Sequence, residues 1–224
     1  MSTTAPTDTS LTADAESLSA EEVLARMVDR FHPQLFLACS FQQEESVLID
    51  LLLRIEPNAR IFTLDTGVLF PETYETWRTM EQRYDTQFET FRGMSLARQA
   101  ADHGPELWKS NPDLCCAIRK VAPLREALSQ VDAWTVGVRR DQAPTRANTP
   151  KIGWDAKHGI WKAAPLADWS DRDIWRYIHE HDLPYNPLHD RGYASIGCTH
   201  CTLPAADRSG RWAGNGKVEC GLHG

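Results

Sequence analysis

Apolar and polar positions along the chain alternate between two periods. Val23, Leu24, Met27, Val28 and Phe31 recur at helical spacing within 21–31, behind a start signal in which Glu22 follows Ser19 by three residues. Pro33 ends that stretch. Leu35-Phe36-Leu37-Ala38-Cys39 is a short, fully apolar run, the pattern of a strand covered on both faces in a parallel sheet. The alternation then repeats. A polar turn, Ser40 to Glu45, leads into an apolar helix over 46–55, and 59–64 reads as a second strand. Asp65-Thr66-Gly67 turns the chain, and Pro71 with Glu72 opens another helix. A third strand is expected over 87–91 and a fourth over 133–138. Between them, 116–128 reads as mostly helical, kinked or divided by Pro123. Ser170 and Asp173 cap a helix over 170–181, and from Leu183 onward Gly, Pro and Asp make the chain loop-like. Strand alternating with helix predicts an α/β fold: a mainly parallel sheet flanked by helices, with a loop-rich C-terminal segment.

Composition refines this picture. With 224 residues, 42% of them hydrophobic, the chain can bury a core without disulfides. No linker divides it, so one domain is expected over 19–224, with a mobile segment from about 205 onward. Residues 1–18, rich in Ser, Thr, Ala and Asp, read as a disordered tail without the apolar core of a signal peptide. No apolar run approaches the roughly 20 residues that cross a bilayer. A net charge of −7 argues against a general binder of nucleic acid or membrane surfaces. These features predict a cytoplasmic protein. In a reducing compartment its six cysteines point to metal binding or catalysis rather than disulfides.

The cysteines fall into groups. Cys115-Cys116 and Cys198-x-x-Cys201 could surround one metal centre, either zinc or a [4Fe–4S] cluster. An adjacent pair opening a helix is unusual for zinc, which favours the cluster. Taken pair by pair, a buried apolar role or a redox pair competes. Cys39 lies in an apolar strand and reads as structural. Cys220, flanked by Gly221 near the C-terminus, suits either a mobile nucleophile or an incidental thiol.

Anion-binding elements come next. The turn Ser40 to Ser46 joins a strand to a helix, where backbone N–H groups favour phosphate, although it lacks the Gly-Lys-Ser/Thr of a Walker A loop. Gly137-Val138-Arg139-Arg140-Asp141-Gln142-Ala143-Pro144-Thr145-Arg146 starts at a strand end and carries three arginines. Guanidinium forks match phosphate and sulfate oxygens. Arg119-Lys120 follows the cysteine pair, and Arg208 and Arg211 precede Cys220.

Together these stretches resemble the assimilatory adenylyl-sulfate (APS) reductases, within the larger phosphoadenylyl-sulfate (PAPS) reductase family. The matching stretches are Ser40-Phe41-x-x-Glu44, Leu64-Asp65-Thr66-Gly67 with Pro71-Glu72-Thr73-Tyr74, Cys115-Cys116 with Arg119-Lys120, and Gly137 to Gln142. Pro165-Leu166-x-x-Trp169, Leu183 to His189, Gly192 to Cys198 and Glu219-Cys220-Gly221-Leu222-His223 follow in the family's order. Two departures stand out. Gln42 takes the place of a usual glycine, and 213–216 replaces further aromatic residues.

The resemblance implies an adenine nucleotide alpha hydrolase-like fold and a defined reaction. Adenosine 5′-phosphosulfate would be reduced to sulfite and AMP, in sulfate assimilation and cysteine biosynthesis. The nucleotide would lie over Ser40, Phe41 and Glu44 and over Leu64, Asp65, Thr66 and Gly67. Lys120, Gly137, Arg139, Arg140, Arg208 and Arg211 would hold the phosphosulfate. Cys220 would attack the sulfur, giving an S-sulfocysteine, and His223 would orient or polarise that site. Thioredoxin or glutaredoxin would then release sulfite. A [4Fe–4S] cluster on Cys115, Cys116, Cys198 and Cys201 would organise the site through Lys120 rather than donate electrons.

PAPS or dual use is the nearest rival, but the family's cluster-free, mainly PAPS-using members lack both cysteine pairs. An ATP pyrophosphatase would carry Ser-Gly-Gly-x-Asp-Ser where this chain has Ser40 to Glu45. A zinc-binding interaction module would leave the arginine-rich turn and Cys220 without a purpose. Homo-oligomerisation stays open.

Overall fold

The structure, a computed structural model, describes residues 8–212, Lys217 and 219–222. His223 lies outside the described residues. Six strands form one sheet: β1 (Leu35–Cys39), β2 (Arg60–Asp65), β3 (Glu89–Arg92), β4 (Ala133–Thr135), β5 (Ile152–Asp155) and β6 (Ile160–Ala163). Their order is β3-β2-β1-β4-β6-β5, parallel throughout except for the antiparallel β5–β6 pair. The helices of eight residues or more, or joined into such a run, are α1 (Ala20–Phe31), α2 (Gln43–Ile55), α3 (Pro71–Tyr84), α4 (Leu96–His103), α5 (112–128) and α6 (Asp171–Glu180). The sheet grows outward from β1 through β2 to β3 on one side, and through β4 on the other. The β1–β4 boundary is therefore a topological switch point, where ligands bind beyond the carboxyl ends of the strands.

Both faces of the sheet are covered, as the apolar strand pattern predicts. Leu37, Cys39 and Ile61 pack under α1, α2, α3 and α6 through Leu24, Leu48, Met80 and Ile174. Their neighbours Phe36 and Phe62 point to the other face, against Leu124 and Leu128 of α5 and Trp134 of β4. The Ser19–Glu22 capping box forms, as does the one at Ser170 and Asp173.

Three boundaries move for local reasons. Helix α2 starts at Gln43, earlier than expected, because Gln42 and Glu45 make a capping box in which the Gln42 N–H donates to Glu45 Oε2 at 3.0 Å. Pro123 does not break α5, which runs from Pro112–Cys116 through a π turn, Ala117–Val121, into Ala122–Leu128. Proline lacks an N–H and crowds the carbonyl four residues back, and the wide turn just before it absorbs that crowding. Strand β4 is shorter than expected: after the Val136 N–H donates to the Ala163 carbonyl at 2.9 Å, the chain leaves the ladder towards the turn at Gly137.

Residues 8–18 correct the expectation of a tail. They form two short helical turns that bury Leu11 and Ala15 against Val23, Met27, Ile152 and Trp161. The spacing of four between Leu11 and Ala15 was the signal, masked by polar composition. At the other end, Arg208–Gly210 forms a 3-10 turn and Arg211 and Trp212 are buried. No helix among the described residues is long and apolar enough to cross a membrane.

Candidate active site

A cleft with about 1040 Å³ of open space lies beyond the carboxyl ends of β1, β2 and β4. Its apolar wall comes from Ala38, Phe62, Trp134 and Val136, and its polar mouth from Ser40, Gln42, Glu45 and Thr66. Lys120, Arg146, Arg208, Arg211 and Cys220 line the same cleft. An apolar slot beside four cations suits a flat ring system that carries an anionic group.

The βα turn after β1 shapes the mouth. Phe41 adopts a left-handed conformation (φ 59°) and sends its ring into the core, stacked on Trp77 at 5.5 Å and Phe88 at 5.6 Å. A non-glycine residue held there marks a strained backbone position fixed by its surroundings. Gln42 Oε1 accepts from the Ile196 N–H at 2.7 Å and so ties the turn to the C-terminal loops. Glu45 accepts from Ser40 Oγ and the Gln42 N–H, both at 3.0 Å. Burial, followed by the neighbouring Glu44 charge, pushes Glu45 up to about 8. Gly137 makes this packing possible, since a Cβ there would come 2.5 Å from Glu45 Oε1.

A raised carboxyl has a definite sign in linkage. The unfolded chain releases the proton as pH rises through the ordinary carboxylate range, while the folded chain keeps it until about pH 8. Glu45 therefore costs stability progressively over that window, by at most about 1.4 kcal/mol per pH unit. Urea unfolding at pH 5 and at pH 8 is expected to show Glu45→Gln gaining stability relative to the native chain as pH rises. A gain for the native chain instead would contradict the assignment.

The cations differ in how they are held. Arg146 donates from Nε and Nη2 to Glu219 at 3.0 and 3.1 Å, and from Nη1 to Gln142 at 2.5 Å. Arg208 donates to Ser195 Oγ at 3.3 Å and to Glu219 at 3.1 Å, and burial, with the Arg146 charge adding to it, pushes it down to about 10. Arg211 donates to Ser195 Oγ at 3.1 Å and to the Ile196 carbonyl at 2.9 Å. It passes over Gly197, where a Cβ would lie 2.3 Å from Nη2. The Nε groups of Arg208 and Arg211 are buried and find no hydrogen-bond partner among the described residues. Burial and the Arg211 charge lower the Lys120 pKa, but the negative charge of Cys198, Cys220 and Cys116 as thiolates outweighs them and holds it above the usual lysine value.

A second, smaller cavity adjoins the first and shares Lys120 with it. Cys115 and Cys116, on the turn that precedes the π turn, line it together with Cys198 and Cys201. Trp108 and His200 stack at 4.0 Å on its wall, and Thr66 Oγ1 lies 3.4 Å from Cys198 Sγ. Arg119 braces the wall by donating to Gln99 Oε1 at 2.7 Å and to the Thr66 carbonyl. Burial, with neighbouring thiols adding to it, raises Cys115 and pushes Cys201 up to about 11. No group of three or more His, Cys, Asp or Glu among the described residues is spaced to hold a single metal ion. The donor set that shares the cavity is four thiols, all free.

Comparison with known proteins decides the family. Residues 34–204 match the model of the phosphoadenosine phosphosulfate reductase domain. The chain belongs to this reductase family. An adenosine 5′-phosphosulfate reductase of Lysinibacillus sphaericus is 50% identical over 210 residues, covering 91% of this chain and 90% of the relative. One from Geobacillus thermodenitrificans is 47% identical over 220 residues, covering 96% and 94%. Among solved structures, the phosphoadenylyl-sulfate reductase of Candida auris in phosphate complex superposes with a TM-score of 0.78 at 29% identity, covering 90% of this chain and all of its own. An NAD synthetase from Campylobacter jejuni, 9% identical with a TM-score of 0.52 over 83% and 79% of the two chains, shares the fold alone.

Within this reductase domain, Ser40, Leu64, Thr66, Lys120, Gly137, Arg208 and Arg211 line the cleft with Cys220. Phe41 meets it only beside a ring that serves the core. Five expected substrate residues stand elsewhere. Arg139 is spent on three carboxylates, Glu44 at 3.0 Å, Asp141 at 2.7 Å and Asp171 at 3.2 Å. Arg140 pairs with Glu16 at 2.5 Å and donates to the Thr149 carbonyl at 2.8 Å. Glu44 holds Arg139 and Gln142 rather than a ligand. Asp65 fastens its turn through Arg92, Tyr74 and the Gly67 N–H, so neither Asp65 nor Gly67 reaches the cleft. Arg146 takes the place expected of Arg139. The arginine-rich turn contained it, but spacing cannot rank three neighbouring guanidiniums. Glu45 and Gln142 were also missed, as polar residues inside otherwise ordinary turns.

Proposed function

We propose that the chain is a thiol-dependent adenosine 5′-phosphosulfate reductase of sulfate assimilation and cysteine biosynthesis. Relatives so named, at 50% and 47% identity over nearly the whole chain, support the substrate. The observation that carries the chemistry is Cys220 in one cleft with Lys120, Arg146, Arg208 and Arg211. The Cys220 thiolate attacks the sulfate sulfur. A sulfur–sulfur bond forms, the bond to the phosphate oxygen breaks, and AMP leaves with that electron pair. The cations neutralise the charge that develops on the leaving phosphate. A donor thiolate, from thioredoxin or glutaredoxin, then attacks Cys220 Sγ and releases sulfite with the bonding pair. A second donor thiol resolves the mixed disulfide, so the donor is oxidised and the sulfur reduced by two electrons. Turnover of the two sulfonucleotides tests the substrate: APS is expected to be preferred, and a preference for PAPS would overturn that choice.

Four free thiols around one small cavity fit a soft metal centre, and we assign them to a [4Fe–4S] cluster. Bound there, it would supply a fixed charge distribution beside Lys120 and no electrons, since both come from thiols. Metal analysis of the purified chain is expected to give iron and acid-labile sulfide in about equal amounts. Zinc without sulfide would refute the cluster. Six free cysteines fit a reducing, cytoplasmic setting.

A further inference from the structure

We infer that Glu219 is the resident counter-anion of the anion subsite, a positioning residue that the substrate must displace. Its carboxylate spans two guanidiniums: Oε1 takes Arg146 Nε at 3.0 Å, while Oε2 takes Arg146 Nη2 and Arg208 Nη2 at 3.1 Å each. Both arginines line the cleft, and each repels the other enough to help push Arg208 down. A bare pair of largely buried guanidiniums, 10% and 17% exposed at their side chains, is costly, and one carboxylate shared between them relieves it. The same two arginines face the space in which an anionic ligand has to sit. Ligand anion and Glu219 therefore compete for one set of donors.

The location of Glu219 gives that competition a consequence. It immediately precedes Cys220. On the far side of Cys220, Lys157 Nζ donates to the Gly221 carbonyl at 2.6 Å, and Leu222 packs against the Phe36–Trp134 cluster. The cysteine is thus bracketed by an ionic anchor and by a carbonyl-and-apolar anchor. Only the ionic one can be exchanged for an incoming anion. A phosphosulfate carries more charge than a single carboxylate and wins the guanidiniums, so Glu219 is released while Gly221 and Leu222 stay seated. Cys220 pivots on the second anchor when the subsite fills. The identity of the anion rests on the function proposed above, whereas the exchange itself does not.

Two probes separate these statements: inorganic sulfate for the subsite and AMP for the nucleotide cleft, each titrated by calorimetry into the full-length protein as purified. Glu219→Gln keeps the size of the side chain and removes its charge. It is expected to bind sulfate about five- to tenfold more tightly than the native chain, and to lower KM for APS while lowering kcat. Glu219→Asp, which keeps the charge but is too short to span both arginines, is expected to fall between. A purely structural role would weaken binding or leave it unchanged, so sulfate affinity in Glu219→Gln at or below the native value overturns the inference even where AMP still binds. If Glu219→Gln fails to fold, Glu219→Asp alone decides, by the same direction of change. Native protein that binds neither AMP nor sulfate overturns both the cleft reading and the inference.

Discussion

Cys220→Ser is expected to lose more than about a thousandfold in APS turnover while keeping AMP affinity within a few-fold. A serine hydroxyl is nearly the same size, so the cleft keeps its shape. It stays protonated where a thiol ionises, and it makes a poor nucleophile towards sulfur without a base beside it. The β1 turn, the apolar wall and the arginines that line the cleft are untouched by the change. Steady-state turnover and calorimetric AMP binding, measured on the same preparation, check both halves. Activity within tenfold of the native chain would remove Cys220 from the chemistry.

Arg139→Ala has the second large expected effect, and on stability rather than on binding. Arg139 and Glu44 are each only 5% exposed at their side chains, with 3.0 Å between Nε and Oε1. Removing the guanidinium leaves a buried carboxylate without its counter-charge, a change that costs about 3–5 kcal/mol. Gln142, which donates to Glu44 Oε1 at 2.9 Å and accepts from Arg146, is left as a neutral partner that cannot replace the lost charge. Urea unfolding is expected to show the loss directly. Arg208→Ala, by contrast, removes a guanidinium that burial already disfavours, and is expected to weaken AMP binding with a smaller stability change. A raised KM with unchanged unfolding in Arg139→Ala would return Arg139 to the substrate.

Arg139 and Arg146 mark where sequence stops being legible. The types of residue in the turn after β4 were readable, and guanidiniums there imply an anion. Which of them faces the cleft depends on carboxylates far along the chain. Glu44 lies 95 residues from Arg139, and Glu219 lies 73 from Arg146. The strand alternation was readable because Phe36 and Leu37 had to face two covered layers. The β5–β6 hairpin was not, as its strands are four residues long and one begins Ile152-Gly153, with a glycine where a packing side chain would signal a strand. The cysteine pairs were legible as soft donors. That they share one cavity, and that Lys120 on the π turn lies between it and the cleft, was not legible in the spacing.

The central claim is that Cys220 takes the sulfonate and the donor thiol removes it. Sulfur-labelled APS, mixed with the protein in the absence of any thiol, tests this in one measurement. Label is expected to remain on the protein after denaturation and gel filtration, to map to the peptide containing Cys220, and to leave as sulfite when reduced thioredoxin is added. Cys220→Ser should stay unlabelled. Stable label on that variant, or rapid sulfite release from a native protein that never becomes labelled, would contradict the account.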